Sequence, residues 1–405
     1  MKVLVISAAF PPVRGGESDQ TLHLSTRLAK HGLEIHVLTA KDNDVAADLP
    51  FRVHPIMQDW SWSELPRLVH FLRRCSPDAV FLMYSAWMYN DHPMITFAPT
   101  ISKFLLPRSP FVTQFGIPDG SHPESRFVRR AIRKGMALAA GKENVDYNLG
   151  TLLRDSDRII VLGESHAETL SRHLPAAKKN MMLIPPPPPL HMAAPHNGRN
   201  RKLGREMLGL SDEDFVLAYF GVVYRGKGIE TLLRAFQIVA AQRRHLRLVI
   251  IGGQASVQDG HVYFEDLCEL AQQLEIEGKV TAREYEWDSF DGSLYLHAAD
   301  VCVLPFDQGV TLNRSSFGGA AAHGLPIITT RGSTLESPFV DGKNVLLCEP
   351  KNPASLAAAI ESAVCSAELR QRLSEGALEM AREWFSWDRA IEQTVEALKG
   401  SAPVN

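Results

Sequence analysis

Short apolar runs alternate with helical patterns through the first third of the chain. Val3 to Ser7 reads as a buried strand, Thr21 to His31 as an amphipathic helix stopped by Gly32, and Glu34 to Thr39 as the next strand. Arg52 to Pro55 is a weaker strand, and Ser63 to Arg74 places Leu65, Leu68, Phe71 and Leu72 at helical spacing. Ala79 to Met83, Phe111 to Gln114 and Arg158 to Leu162 are further strands. Strands that alternate with helices predict a parallel sheet covered on both faces.

Five consecutive prolines, Pro185 to Pro189, then interrupt the pattern, followed by a polar stretch to Lys202. Proline joins neither a central strand nor a helix interior, so 185–202 reads as a stiff linker; a polyproline ligand for a partner is the alternative. The alternation then restarts. Strands are predicted at 215–220, 246–251, 279–283, 301–305, 326–330 and 345–348, with helices at 228–241, 263–274, 294–298, 353–364, 369–384 and 387–398. The predicted fold class is α/β, with two Rossmann-like doubly wound domains facing a cleft. The first spans 1–184 and the second 203–386. Ligands of such sheets sit at the carboxyl ends of strands, so the loops that follow strands carry the functional interest.

Composition narrows the class. The 405 residues are 45% hydrophobic and 22% charged, with a net charge of -3. That balance is of an ordinary globular protein and gives no field for nucleic acid. Cys75, Cys268, Cys302, Cys348 and Cys365 are scattered, with no paired spacing for zinc or redox work. The N-terminus reads as a strand rather than a signal peptide, and no apolar run reaches transmembrane length. The expected compartment is cytoplasmic.

Three strand-following loops point to an anion. Gly15 and Gly16 lie between the first strand and the first helix, where paired glycines either let a ligand approach the backbone or serve a tight turn. In the stretch 220–233, Arg225 and Lys227 stand beside Gly221, Gly226 and Gly228 at a helix start. Two cations there are unfavourable unless an anion such as a diphosphate joins them; the alternative is an exposed basic turn. In the stretch 309–328, Arg314 is the lone cation, Ser315 and Ser316 open a short helix, and no carboxylate lies between Asp307 and Glu336. Gly318 and Gly319 inside that helix suit close approach of a ligand or tight packing on the sheet. Gly253 marks a weaker approach point. The loop after Phe111 to Gln114 supplies Asp119, His122 and Glu124. The basic run 126–136 reads as a solvated helix face or as a peripheral membrane contact on anionic lipid.

These motifs, in this order, resemble the GT-B glycosyltransferases, most closely family 4. The opening strand with Gly15-Gly16, the segment Lys227-Gly228 with 230–236, and 300–305 followed by Ala322-His323-Gly324-Leu325-Pro326 carry the likeness. Asp341-Gly342-Lys343-Asn344 and Phe385-Ser386-Trp387 complete it. The resemblance implies sugar transfer from a nucleoside-diphosphate sugar, UDP- or GDP-linked, to a glycan, lipid-linked or small-molecule acceptor. It implies retention, no bound metal and no separate cofactor, in polysaccharide, glycolipid or glycoside synthesis. The second domain then holds the donor and the first the acceptor, with a helix at about 387–400 returning to the first domain.

By this resemblance Lys227 and Arg225 stabilise the leaving diphosphate. Gly15, Gly16, Gly221, Gly253, Thr311, Arg314, Ser315 and Ser316 bind the donor, and Gln114, Phe115, Asp119 and His122 lie on the acceptor side. The chain departs from the family where two glutamates eight apart are usual, since Thr311 and Gly319 occupy those positions. The usual arginine after the strand glycine falls near Val222, and the usual histidine falls at Phe115. Those departures keep two further readings open: a non-catalytic GT-B relative that binds a glycan or partner protein, and a nucleotide-sugar epimerase.

Overall fold

The computed structural model describes residues 1–13, 15–42, 48–118, 149–193, 198–254, 260–285 and 289–400. The chain forms two units. One comprises Met1–Val13, Glu17–Pro185 and Asp388–Asn405, the other Arg14–Gly16 and Pro186–Trp387.

Unit one is built on seven strands: β1 (Lys2–Ile6), β2 (Glu34–Ala40), β3 (Arg52–Met57), β4 (Ala79–Tyr84), β5 (Phe111–Phe115), β6 (Arg158–Val161) and β7 (Met181–Leu183). Their order is β3-β2-β1-β4-β5-β6-β7, and every neighbouring pair is parallel. All side chains of β4 and β5 are buried, as parallel strands covered on both faces require. The order reverses at β1 and β4, the place where doubly wound sheets open a crevice. Helices α1 (Gly16–Lys30), α2 (Leu65–Cys75), α3 (Ala98–Leu105), α4 (Leu152–Asp155) and α5 (Glu164–His173) connect the strands. The hydrophobic pattern did not announce β7 or α5. β7 has three half-buried residues at the sheet edge, and α5 buries only His166 and Leu170.

Unit two has a six-stranded parallel sheet of β8 (Phe215–Phe220), β9 (Leu246–Ile251), β10 (Val280–Arg283), β11 (Val301–Leu304), β12 (Ile327–Thr330) and β13 (Leu346–Cys348), ordered β10-β9-β8-β11-β12-β13. Its helices are α6 (Arg199–Leu208), α7 (Ile229–Ala240), α8 (Gly260–Gln273), α9 (Asp291–Ala298), α10 (Ser315–Ala322), α11 (Pro353–Cys365) and α12 (Ala367–Trp384), and α13 (Trp387–Leu398) follows. Asp300 ties α6 to the sheet: it accepts from the Val216 amide at 2.8 Å, from Arg201 at 2.7 Å and from Arg205 at 3.1 Å. Helix α6 begins inside the stretch read as linker. Pro185 to Pro188 are buried, and the Trp387 indole donates to the Pro188 carbonyl at 3.0 Å, so the proline run is docked rather than a bare tether. Phe317 on α10 sits between Phe339 and Phe385 at 5.2 and 5.6 Å. Burying each such ring stabilises the unit by about 2 kcal/mol.

Candidate anion site of unit two

The strand order of unit two reverses between β8 and β11, so the loops leaving their carboxyl ends lie side by side. Glycines bring these loops together. Gly221 has φ +132°, and a Cβ there would stand 3.2 Å from Cβ of Ser316; the exit of β8 therefore touches the start of α10. Gly228 has φ +74°, and a Cβ would fall 1.9 Å from the Pro305 carbonyl oxygen. Only glycine combines that conformation with that approach.

Two cations converge on one ring. Lys227 is 8% exposed, and its Nζ lies 4.8 Å from the Tyr224 ring centre and 5.3 Å from that of Phe306. The Arg314 guanidinium carbon lies 4.7 Å from the same Phe306 ring, which is fully buried. Arg314 Nε is buried with no hydrogen-bond partner, and among the described residues no carboxylate pairs with this arginine. A ring face gives a cation about 0.5–2 kcal/mol, well short of a counter-ion in a desolvated place. Arg314 also caps α10 without a side-chain acceptor, and the first amides of a helix lack intrahelical partners. Ser315 and Ser316 are the first two residues of the helix, next to Arg314 in the chain, and Ser316 is buried. This arrangement suits a diphosphate, with the guanidinium forking onto oxygens and the ammonium acting as a point charge. Behind it, Tyr219 donates its hydroxyl to the Val222 carbonyl at 3.2 Å. Burial raises that phenol well above its usual range, against a smaller lowering by Arg314.

The other residues singled out from sequence fall elsewhere. Arg225 pairs with Asp266 at 2.7 Å, packs over Tyr263 at 5.0 Å, and keeps 61% of its side chain exposed. The Gly253 carbonyl accepts the Val223 amide at 2.9 Å. Thr311 donates its hydroxyl to Asn313 Oδ1. A Cβ at Gly318 would lie 2.8 Å from the Phe385 ring and one at Gly319 2.5 Å from the Phe220 ring, so packing accounts for both glycines. The pattern gave no notice of Phe306. A large apolar residue one past the strand-ending Pro305 was the only signal.

Between β1 and α1, Gly15 and Gly16 have no positive φ, and a Cβ on either would meet nothing within 4 Å; neither turn geometry nor packing demands glycine there. Gln114 is 4% exposed, and its Nε2 is buried without a hydrogen-bond partner. Phe115 is a core residue, edge-on to Tyr84 at 5.5 Å. The Ser85 hydroxyl reaches Glu17 Oε1 at 3.4 Å, and a Cβ at Gly116 would stand 2.5 Å from that hydroxyl. Asp119, His122, Glu124 and the basic run 126–136 lie outside the described residues. Among the described residues no cluster of His, Cys, Asp or Glu has metal-holding geometry, and no helix is long and apolar enough to cross a membrane.

Two doubly wound parallel-sheet units, the second with this seat at its switch point, define the GT-B fold. HepE of Anabaena, solved in complex with UDP and glucose, superposes with a TM-score of 0.72 at 15% identity, over 99% of this chain and 100% of that one. Sucrose-phosphate synthase of Thermosynechococcus elongatus superposes with a TM-score of 0.68 at 19% identity, over 98% of each chain. Residues 200–380 match the family model described as glycosyl transferases group 1. The matched segment contains every loop of the seat. The D-inositol 3-phosphate glycosyltransferase of Corynebacterium diphtheriae is 28% identical over 257 residues, which are 62% of this chain and 57% of that protein. The match thus spans a little over half the length of this curated relative.

Proposed function

We propose that the chain transfers a sugar from a nucleoside-diphosphate sugar to a hydroxyl acceptor. The observation that carries this reading is Arg314 and Lys227 around the buried Phe306 ring, at the start of α10. In the reaction, the bond between the anomeric carbon and the phosphate oxygen breaks and its electrons pass to the leaving diphosphate. The two cations and the α10 amides stabilise that charge in a preorganised, water-poor place. The acceptor oxygen then bonds to the anomeric carbon and its proton passes to the departing phosphate. Attack on the face the leaving group vacates gives retention, the outcome the family resemblance favours, and protein cations take the part that a metal plays elsewhere. The group 1 match, and relatives whose printed names are glycosyltransferases, support the reaction class. Gln114 with its unpartnered amide, and Glu17 beside Ser85, are proposed to meet acceptor hydroxyls at the switch point of unit one. Glycan, lipid-linked and small-molecule acceptors all present such hydroxyls, and contact with a cytoplasmic membrane face is proposed only for the lipid-linked case. No cofactor beyond the donor is assigned.

A panel of UDP-, GDP- and dTDP-sugars, followed by thermal unfolding and product formation, tests the reading. A cognate donor at a hundred times its dissociation constant adds about 2.7 kcal/mol of stability. If no nucleotide sugar shifts unfolding, and Lys227→Ala changes nothing, the proposal fails. The filled space at Gly319 favours one second reading, a relative that binds the donor without turnover; measured transfer or donor hydrolysis eliminates it.

A further inference from the structure

We infer that Glu336 is a positioning residue of the anion seat, acting on Arg314 through the backbone of the loop between β11 and α10. Glu336 is 2% exposed, and its Oε2 accepts the Leu312 amide. The contact is the last of three along the same loop. A Cβ at Gly309, whose φ is +90°, would stand 2.2 Å from the Gly332 nitrogen. Val310 donates its amide to the Thr330 carbonyl at 3.0 Å. The segment after β12 therefore serves as a template along which residues 309–312 are laid. A turn follows, closed by the Arg314 amide on the Thr311 carbonyl at 3.2 Å, and it delivers Arg314 to the Phe306 ring.

The sequence offers no carboxylate between Asp307 and Glu336, so Glu336 is the next acid along the chain that can serve this loop. The side-chain oxygen of Glu336 gives this buried amide the acceptor that water cannot supply there. Val310 and Leu312 are fully buried, and their side chains anchor the loop while Glu336 sets its backbone path. Removing the carboxylate leaves the Leu312 amide buried without its acceptor and frees the turn that carries Arg314.

This inference rests on the sugar-transfer reading only for the identity of the anion, so inorganic pyrophosphate and UDP serve as separate probes. In full-length protein, Glu336→Gln keeps an acceptor oxygen and is expected to hold pyrophosphate and UDP affinity within twofold of wild type. Glu336→Asp is too short to reach Leu312 and is expected to weaken both at least tenfold. It should also speed deuterium uptake in the peptide covering 310–316 without ligand. In that background Arg314→Ala should lower affinity further by less than half the fold-change it causes in wild type, because the arginine is already misplaced. A cooperative melt checks that each variant is folded. Unchanged uptake at 310–316, or an Arg314→Ala effect of equal size in both backgrounds, overturns the role of Glu336. So does a Gln variant as impaired as the Asp variant, which would mean that charge acts rather than the amide bond. Wild-type protein that binds pyrophosphate but no nucleotide overturns the sugar-nucleotide reading and leaves Glu336 its role at an anion seat.

Discussion

Gly319 on α10 faces Phe220 on β8 so closely that a Cβ would stand 2.5 Å from the ring. The place where the family resemblance leads one to look for a carboxylate is therefore filled by a phenyl ring. Gly319→Ala is predicted to destabilise by about 1–3 kcal/mol, because overpacking forces side chains off their rotamers. Gly319→Glu is predicted to destabilise at least as much and to bring no gain in donor binding. Gly16→Ala, where a Cβ meets nothing within 4 Å, should stay within about 0.5 kcal/mol of wild type. Denaturant melts of the three variants check this, and a Gly319→Glu protein that is stable and more active would refute it.

Acid should weaken unit two through His323. Its Nδ1 bonds the Gly319 carbonyl and its Nε2 the Ser293 hydroxyl, each at 2.7 Å. The carbonyl can only accept, so Nδ1 carries the proton and Nε2 accepts from Ser293, whose oxygen takes the Ala193 amide at 3.0 Å. Burial lowers this imidazole from 6.5 to about 4, and burial lowers His297 beside it too. A depressed folded value means that the unfolded chain binds the proton first. The stability is present above pH 6.5 and is lost as pH falls toward 4, by roughly 3 kcal/mol if fully expressed. Melting temperature against pH should fall over this window in wild type and fall less steeply in His323→Gln. Parallel profiles would count against it.

Gln114, proposed to meet the acceptor, is expected to trade stability for function. A buried amide without a partner costs about 1–3 kcal/mol. Gln114→Leu is therefore predicted to leave the protein as stable as wild type or up to about 1 kcal/mol more so, while donor affinity is unchanged and transfer to the acceptor falls. Urea melts paired with separate donor-binding and transfer measurements decide it; a destabilised variant with normal transfer would contradict the assignment.

Much of the fold was legible because both sheets announce themselves through short apolar runs between helical patterns. Trp387 to Leu398 was read as the closing helix and is α13. Edge strand β7 and polar helix α5 escaped because each buries too little to leave a period. The candidate site was half legible. Gly221, Lys227, Arg314 and Ser316 stood out as glycines, cations and hydroxyls in strand-following loops, and the structure brings them together. Adjacency in sequence paired Lys227 with Arg225, yet in space Lys227 shares Phe306 with Arg314, 87 positions farther on. Which cation meets which is settled by the β8–β11 pairing, a long-range contact that no local spacing encodes. Glu336 was invisible for the same reason, since its partner amide is 24 residues away.

Arg314, with Lys227, is proposed to form the diphosphate seat, and calorimetric titration of UDP and GDP into three proteins, wild type, Arg314→Ala and Arg225→Ala, decides whether it does. Arg314→Ala is predicted to weaken the tighter nucleotide at least tenfold, since a hydrogen bond to a charged group is worth about 1.5–3 kcal/mol. Arg225→Ala, which removes an exposed arginine already paired with Asp266, should stay within about twofold of wild type. An Arg314→Ala protein that binds as tightly as wild type, or a larger loss from Arg225→Ala, would contradict the account.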